Sequence, residues 1–550
     1  DSASIQRVEL ARMISPYGWR FDSTWEFNWH VDITDFAPLL HDSALIEFVH
    51  TGYESNTDRG WLITLDFAIV EGRPVMQPLG MDSLWCGSFP YGDTSKPIES
   101  LLHPLSYQND SASIARLRIV QTGHGMDDSA NCAEFCRKYR RVYFDDSLIN
   151  ERYIWRECGD NPLFPQGGTW IYDRANWCPG AIVYPDIYDM AIADKDTHSV
   201  NIDMEPYVNP NKPSANYHIY SYLFFYDQPW AENDVSIEEI LVPSDLQEYS
   251  RMNPSCSGAR FTIRNNGRNS VTSMTIRYGN TPSTTTLMEW QDNIAPQGTA
   301  EVAIPRDRIQ STSARGFFLS LETPNGQDDE YPLDNSATTS TATAPALPSQ
   351  FVLLIRTNNQ PEQNGYSIID QYGAHAVSRG QSSLTSNTTF RDTLSLQPGC
   401  YTFTMTDTAD DGLDFWFNPE GGYGYIRFLT LDGRMLKSLN ADFGREARYC
   451  FWVSSDSVAF APNPQPIVQI FPPRNKGTFD IDLFYDTASA TTVRITNDST
   501  KAVVYERNYG ILKESVLRID ITSQPEGVYY VHVVSGDAII SRRIRIKRGE

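Results

Sequence analysis

The stretch Tyr217–Tyr226, YHIYSYLFFY, decides the fold class, because its apolar and aromatic residues follow the period of two of a β-strand. Glycine, proline, asparagine and aspartate separate such stretches at short intervals, which is typical of sandwiches and jelly rolls. We therefore predict an all-β protein. The pattern recurs in Trp61–Gly72 (WLITLDFAIVEG, with Trp61, Ile63, Leu65, Phe67 and Ile69 on one face), RFTIRNN, SMTIRYG, FVLLIRT, GCYTFTMTD and GVYYVHVVSG.

The chain has 550 residues, which is too long for one hydrophobic core and predicts several domains. Its formal charge of −24 argues against a nucleic-acid partner, which would need a basic face. No run of about 18 apolar residues occurs, so we expect no transmembrane span. Eight cysteines favour an oxidising compartment and disulfides. The opening letters, DSASIQRVEL, are typical of a processed or truncated start, and we expect a monomer.

Three breaks divide the chain. Ser336–Ser349, SATTSTATAPALPS, predicts an extended, exposed linker, and Phe460–Pro466, FAPNPQP, predicts another. A softer boundary falls in Ser244–Gly258. The pieces that follow the large first piece are each the size of one β-sandwich, and we place them at residues 256–335, 350–455 and 466–550.

The chemistry is concentrated in Gln121–Arg140, QTGHGMDDSANCAEFCRKYR, where Glu134 stands between two cysteines. A zinc site is one interpretation, with His124, Cys132, Cys136 and either Cys158 or Cys178 as ligands. The spacing is unfavourable, because zinc knuckles use C-x-x-C and this stretch has C-x-x-x-C. No H-E-x-x-H occurs anywhere in the chain.

A disulfide is the other interpretation of the two cysteines. Residues four apart in a turn lie close enough for a bridge between Cys132 and Cys136. So small a ring adds little through loop entropy, so its value would be to fix the backbone of Glu134. A fixed glutamate suits acid/base or substrate-orienting chemistry. An exposed glutamate in a stapled turn is the alternative.

A second pair, Cys158 and Cys178, brackets a Gly/Pro-rich loop that contains Arg174 and Trp177. Tryptophan stacks on sugar rings and arginine binds hydroxyl or carbonyl oxygens, so the loop suits a binding surface. An ordinary surface loop fits equally well.

Carboxylates are also concentrated in Asp407–Asp414, DTADDGLD. Asp407, Asp410 and Asp411 would bind structural calcium, although the EF-hand spacing is absent and a solvated turn is the alternative.

Two strings together carry a family resemblance: GHGMDDSANCAEFC, and WIYDRANWCPGAIVYPDIYD further on. They resemble the second half of the bacterial peptide-N-glycosidase F family, amidases that remove N-linked glycans from asparagine. The stretch from ARMISPYG to WLITLDFAIVEG resembles its first half. The resemblance covers Asp1 to Pro243. It implies two adjacent eight-stranded antiparallel jelly rolls, at residues 1–107 and 108–247, with the site between them and no metal or other cofactor.

The resemblance also implies roles for single residues. Glu134 falls on an active-site glutamate that contacts the glycan core, Arg174 on a substrate-side arginine, and His124 on an orienting histidine. Cys132–Cys136 and Cys158–Cys178 fall on family disulfides.

Two departures concern the first half. The family's main catalytic aspartate belongs to a C-D-x-W-D-R motif, and Asp1 is that aspartate or its neighbour. The family's T-E-T-W segment aligns with HTGYES, which puts Thr51 at the glutamate and Tyr53 at the tryptophan, with Glu54 nearby. A non-catalytic glycan-binding or adhesion protein on the same fold is therefore the alternative to a secreted amidase.

The end of the chain, from GTFDIDLFY to PEGVYYVHVVSGDAIISRRIRIKR, resembles the C-terminal sorting domain of the type IX secretion system of Bacteroidetes. This implies export across the outer membrane and the secretion machinery as a partner, with an accessory Ig-like domain as the alternative. Residues 256–335 resemble a CARDB-like or adhesion-type Ig-like module. Residues 350–455 resemble an accessory sandwich, for which we expect a Cys400–Cys450 bridge.

Overall fold

The computed structural model of the chain describes residues 7–18, 21, 25–50, 60–69, 72–108, 111–192, 196–209, 215–251, 258–305, 316–340, 344–454, 466–536 and 538–548. The chain forms two compact units. The first comprises Asp1–Ser250, Arg260–Ala303 and Gly316–Ser340, and the second comprises Arg251–Ala259, Ile304–Arg315 and Thr341–Glu550. Almost all regular structure is strand, which confirms the all-β prediction. The helical elements described are short 3-10 turns: Thr34–Leu39, Ile98–Ser100, Gln247–Tyr249, Pro324–Gly326, Pro361–Gln363, Gln381–Ser383 and Pro419–Gly421.

Seventeen strands are described in the first unit or at its edges. They are β1 (Met13–Ile14), β2 (Pro78–Pro90), β3 (Leu105–Gln108), β4 (Ile114–His124), β5 (Lys138–Phe144), β6 (Ser147–Ile154), β7 (Ala181–Ile182), β8 (Asp186–Ala191), β9 (Thr197–Met204), β10 (Asn216–Tyr226), β11 (Val235–Val242), β12 (Ala259–Asn265), β13 (Val271–Thr281), β14 (Thr284–Ile294), β15 (Thr299–Ile304), β16 (Gly316–Glu322) and β17 (Ser336–Ser340). One four-stranded sheet has the order β2-β10-β4-β8 and a second has the order β3-β9-β5-β6.

The stretch Tyr217–Tyr226 forms most of β10, which pairs with β2 on one side and β4 on the other. Tyr217, Ile219 and Leu223 lie in one core with residues of the second sheet. Tyr222 and Phe224 lie on the opposite face and pack against Phe36, with ring centroids 5.4 and 5.1 Å away. Both faces of this central strand are buried, which explains why so few of its residues are polar.

The prediction for Trp61–Gly72 is wrong for the part that the structure describes. Residues 60–69 form no strand there, although their alternating pattern is that of one. Leu65 is 52% exposed and Ile69 is 84% exposed, so the expected apolar face is not buried. A strand is stabilised by hydrogen bonds and packing from neighbouring strands, and no pairing is described for these residues.

The Ig-like module uses two sheets, β11-β12-β15 and β14-β13-β16-β17. Two sequence expectations change here. Strand β11, which lies inside the predicted jelly roll of residues 108–247, pairs with β12 of the module instead. The first part of the predicted linker, Ser336–Ser340, is strand β17 and pairs with β16. This threonine-rich segment of small residues therefore forms the edge strand of a sheet and does not link two domains.

The second unit contains fifteen described strands. They are β18 (Ala346–Leu347), β19 (Gln350–Arg356), β20 (Asn364–Asp370), β21 (His375–Arg379), β22 (Thr389–Ser395), β23 (Gly399–Asp407), β24 (Tyr425–Leu429), β25 (Met435–Leu439), β26 (Glu446–Val453), β27 (Ile467–Phe471), β28 (Arg474–Asn475), β29 (Thr478–Asn497), β30 (Val503–Asp520), β31 (Gly527–Ser535) and β32 (Ala538–Ile546). The accessory sandwich has the sheets β18-β26-β23-β20-β21 and β22-β19-β24-β25. The C-terminal domain is built on β27-β29-β31-β32-β28, with β30 paired to β29.

Candidate active site

The loop after β4 holds Glu134 by its backbone and by a covalent ring. A disulfide joins Cys132 to Cys136, with their Cα atoms 4.8 Å apart. The amide of Glu134 donates to the carbonyl of Gly125 at 3.0 Å, and its carbonyl accepts from the amide of Ala175 at 2.8 Å. The backbone of Glu134 is thus held between two neighbouring segments, as the disulfide interpretation predicts.

Asp127 organises the chain that leads into this ring. Its Oδ1 accepts hydrogen bonds from the amides of Ser129 and Ala130, and its Oδ2 accepts one from the hydroxyl of Tyr207. Burial alone would raise the pKa of Asp127, but these hydrogen bonds outweigh it and lower the pKa to about 2. The carboxylate therefore acts as a permanent acceptor that fixes the turn.

Gly123 allows the ring loop and the second disulfide loop to approach β4 closely. Its amide donates to the carbonyl of Ala175 at 3.0 Å, and its carbonyl accepts from Nε1 of Trp177 at 2.8 Å. A Cβ atom at this position would lie 2.5 Å from the carbonyl oxygen of Ala133 and 2.6 Å from the Cβ of Ala175. A side chain here would force the loops apart, so glycine is required at this contact.

Arg174 lies in the loop closed by the Cys158–Cys178 disulfide and is completely buried. Its guanidinium donates to the carbonyls of Tyr172 and Thr169 and contacts the hydroxyl of Tyr17 at 3.3 Å. Its Nε lies 3.4 Å from Oε1 of Glu134. Arg174 therefore connects the two disulfide-closed loops, because it lies in one of them and contacts Glu134 of the other.

Glu134 is the member of this pair that reaches solvent, because 20% of its side chain is exposed whereas Arg174 is not exposed at all. Burial raises the pKa of Glu134, and the charge and hydrogen bond of Arg174 oppose this shift. A partly exposed carboxylate whose pKa is set by burial and one fixed cation is suited to contact a polar ligand.

Trp177 and His124 form a stack behind the carboxylate. Trp177 is 5% exposed, its ring centroid is 5.5 Å from that of His124, and the guanidinium of Arg174 lies 4.8 Å from its ring. His124 Nε2 lies 2.8 Å from Oγ1 of Thr122, which also accepts from Arg12 at 2.7 Å. His124 therefore lies in a fixed position beside Trp177, and its orienting role stays a prediction.

The roles predicted for Arg174 and Trp177 as direct sugar contacts are not supported by this geometry. Both side chains are buried, so neither offers a face on which a sugar ring could stack or a free donor for its hydroxyl groups. Arg174 instead contacts Glu134, and Trp177 packs against Arg174 and His124. The zinc interpretation is wrong for its cysteine ligands, because Cys132, Cys136, Cys158 and Cys178 are all consumed in disulfides.

Three predicted site residues, Asp1, Tyr53 and Glu54, lie outside the described residues. Other residues at this site carry no signal in the sequence. Arg12 binds Thr122 and the carbonyl of His218 at 3.1 Å, and pairs with Glu9 at 3.0 Å. No spacing in the sequence could connect residues about 110 and 206 positions apart.

The carboxylates of the acidic loop Asp407–Asp414 lie in different environments. Asp407 is buried, and burial together with Asp411 raises its pKa to about 7. Asp410 instead forms an ion pair with Arg445 at 2.9 Å. No three histidine, cysteine, aspartate or glutamate side chains in the described part of the chain are arranged to hold a metal ion, and calcium at this loop stays a prediction.

The expected Cys400–Cys450 bridge does not form, because Cys400 is disulfide-bonded whereas Cys450 is not in a disulfide. Cys400 and Cys450 lie in one buried cluster on the neighbouring strands β23 and β26. Cys400 is opposite Trp452, and Cys450 is opposite Thr402, so the two cysteines are offset by two positions rather than facing each other. The predicted pairing is therefore wrong, since Cys400 is engaged in a disulfide in which Cys450 takes no part.

Residues 99–224 match the family model described as Peptide-N-glycosidase F, C terminal. The resemblance to the peptide-N-glycosidase F family is confirmed. The matched residues include Glu134, Arg174 and both disulfides, and they are here called the amidase domain after the enzymes that the family model describes. Residues 469–547 match the model described as Secretion system C-terminal sorting domain.

The chain is similar to peptide-N(4)-(N-acetyl-beta-D-glucosaminyl)asparagine amidase F of Elizabethkingia miricola, with 26% identity over 193 residues, 32% of this chain and 51% of that protein. A crystal structure of this type of amidase matches with 22% identity and a TM-score of 0.26 over 29% of this chain and 55% of that chain. The PNGase F structure from Flavobacterium meningosepticum matches with 21% identity and a TM-score of 0.26, over 29% of this chain and 55% of that chain. The chain spans about half the length of these relatives.

The sorting domain at residues 469–547 marks the protein for export to the cell surface or the medium, as predicted. None of the described helices is long and apolar enough to cross a membrane.

Removing the Glu134 ring is expected to affect activity more than stability. In the chain-entropy account, the small Cys132–Cys136 ring contributes about 2 kcal/mol and the larger Cys158–Cys178 loop about 3 kcal/mol. We expect a double replacement of Cys132 and Cys136 by serine to lower glycopeptide turnover at least ~10-fold while the protein stays folded. Denaturant unfolding and an activity assay, run beside the Cys158/Cys178 double variant, check this. Unchanged turnover in the Cys132/Cys136 variant would show that the ring does not position Glu134.

The free energy of unfolding of the amidase domain is expected to fall as the pH falls, because of His124. Burial, together with the nearby charges of His218 and Arg12, lowers the pKa of His124 to about 3. Between pH ~6.5 and ~3 the unfolded histidine binds a proton that the folded one does not, so stability falls as pH falls, by about 1.4 kcal/mol per pH unit. His124→Asn should flatten this slope, whereas the same change at the exposed His103 should not. Denaturant unfolding across this pH range measures both slopes.

Proposed function

We propose that this protein is a secreted amidase that hydrolyses the bond between N-acetylglucosamine and asparagine in N-glycoproteins or glycopeptides. The reaction releases the intact glycan and converts asparagine to aspartate. The observation that carries this proposal is Glu134, a partly exposed carboxylate fixed by a disulfide ring and paired with the fully buried Arg174. The match of the amidase domain to the glycosidase family model supports the substrate class.

The chemistry requires a water activated beside the amide carbonyl, stabilisation of charge on the carbonyl oxygen, and a proton for the departing glycosylamine. Asp1, which the resemblance places at or beside the family's catalytic aspartate, acts as the base toward water. Glu134 accepts hydrogen bonds from the first sugar and holds that sugar in a fixed position relative to the base. Arg174 orients Glu134 and favours its ionised form, because its charge opposes the rise in pKa that burial causes. The sorting domain brings the enzyme to substrates outside the cell.

The test is incubation of the protein with a fluorescent N-glycopeptide. Release of the free glycan, together with a peptide in which asparagine has become aspartate, is the expected result. The oxygen of the new carboxyl should come from water, so isotope-labelled water gives a second readout. No release under any condition that keeps the protein folded and binding the glycopeptide would reject the amidase.

A glycan-binding protein on the same fold is the second candidate. It is favoured by the alignment of Thr51, rather than a glutamate, with the family's T-E-T-W segment. Retention of the glycopeptide on the immobilised protein without release of glycan is the outcome that assigns this function.

A further inference from the structure

The accessory sandwich and the C-terminal domain of the second unit share one buried apolar cluster. The docking face is defined as the six buried residues that β19, β24 and β25 turn toward the C-terminal domain: Val352, Leu354, Tyr425, Arg427, Leu429 and Met435. Phe484 of β29 inserts among the apolar members of this face and is 3% exposed, and Ile467 packs beside it. A cluster built from both domains is expected of a permanent contact rather than of two modules on a flexible tether.

An ion pair crosses the same contact. Arg427 of the docking face pairs with Asp482 of β29, and the two side chains are 1% and 2% exposed. The Arg427 guanidinium lies 3.8 Å from the ring centroid of Tyr425 and 5.3 Å from that of Phe484, so an aromatic ring from each domain covers it. Burial raises the pKa of Asp482, and the charge of Arg427 opposes the shift.

The pair is incompletely satisfied. Nε and Nη1 of Arg427 and Oδ1 of Asp482 are buried without a hydrogen-bond partner. Such a pair stabilises a contact weakly compared with apolar residues of the same size, but it strongly penalises any arrangement in which one partner is lost. If the two domains separated, the docking face would expose its apolar residues, and a different partner covering it would bury Arg427 without Asp482. The ion pair therefore determines which partner can cover the docking face more than it raises the affinity for that partner.

Polar contacts surround the cluster. The amide of Met435 donates to Oδ1 of Asp486 at 2.9 Å, and the hydroxyl of Tyr425 donates to Oε1 of Glu514 at 3.3 Å. Lys513 Nζ donates to the carbonyl of Asp432 at 3.1 Å. An apolar centre with a polar rim is the usual anatomy of a specific protein interface.

We propose that the docking face binds the sorting domain as a partner in its own right, so that the two domains stay together when the chain between them is cut. The covalent connection between Ser454 and Ile467 then contributes only effective concentration. The export machinery would meet the sorting domain as one side of a two-domain body, and it would reach only the faces that the accessory sandwich leaves uncovered.

The experiment uses the full chain with a protease recognition sequence inserted between Ser454 and Ile467. After complete cleavage, gel filtration at micromolar concentration should return both fragments in one peak. Asp482→Ala leaves the buried Arg427 with only Glu514, whose Oε1 lies 4.0 Å from Nη1. It should weaken the association roughly 100-fold or more and split the peak. The double variant Arg427→Met with Asp482→Leu should restore the single peak, because it replaces the pair with apolar groups of similar size.

Asp480→Ala is the matched control, since Asp480 lies on the same strand and pairs with the exposed Arg518 within the C-terminal domain. It should leave the peak single. Circular dichroism of each uncut variant confirms that it is folded, and if Asp482→Ala does not fold, Asp482→Asn takes its place. Separation of the cut wild-type fragments, or a single peak for the charge-breaking variant equal to wild type, would overturn the proposal.

Discussion

Replacing Glu134 by glutamine is expected to lower the rate of glycan release by roughly 10- to 100-fold, because hydrogen bonds to a charged group contribute about 1.5–3 kcal/mol. Glutamine keeps the size and the acceptor oxygen that faces Arg174, so the two disulfide-closed loops should keep their geometry. What is lost is the charge. The carboxylate binds sugar hydroxyls more strongly than an amide does, because hydrogen bonds to ionised acceptors are about twice as strong.

The measurement is kcat/KM for a defined glycopeptide, with denaturant unfolding beside it. Stability should change by no more than about 1 kcal/mol, because the pair is partly exposed on the Glu134 side. Glu151→Gln is the control, since Glu151 pairs with Arg141 on the surface of the same unit, with both side chains about as exposed as each other. Turnover by Glu134→Gln within a few-fold of wild type would reject the role assigned to this residue.

The all-β fold could be predicted from the sequence because the deciding strands are long and regular. The central strand β10 is apolar on both faces, and the structure buries both. The strand prediction was wrong for Trp61–Gly72, because an alternating apolar pattern shows only that a segment could form a strand. Whether neighbours exist to pair with it is a tertiary property. For β17 the error was the opposite, since a strand was predicted to be a linker. Short threonine-rich segments are typical of linkers as well as of sheet edges.

The candidate site was predictable where covalent or local geometry decided it. The four-residue spacing of Cys132 and Cys136 predicted the ring that holds Glu134, and the structure contains it. The contacts that pass between distant segments were not predictable. Arg12 reaches Thr122 across the fold, and Tyr17 reaches Arg174, without any pattern that relates them in the sequence. Burial was also misjudged for Trp177, because tryptophan fills cores as readily as it lines binding surfaces.

Replacing Arg174 by methionine is expected to be the most damaging single change in the amidase domain. Methionine keeps the approximate length and apolar stem but removes every donor. The carbonyls of Tyr172 and Thr169 then lose their partner in a buried site, and Glu134 loses its cation. Leaving buried groups unpaired costs about 1–3 kcal/mol each, so we expect a loss of roughly 3 kcal/mol in the free energy of unfolding.

The effect of the Arg174 charge on Glu134 can be measured separately from the effect of Arg174 on folding. Because Arg174 lowers the pKa of Glu134, its removal should let Glu134 take up a proton at higher pH. The acid side of the activity profile should therefore move to higher pH in Arg174→Lys, which keeps a cation but not the planar donors, and further in Arg174→Met. Arg141→Met, which breaks the exposed Arg141–Glu151 pair, should cost less than about 1 kcal/mol and leave the profile unchanged. Equal acid limbs in wild type and Arg174→Met would show that Arg174 supports the fold without controlling the ionisation of Glu134.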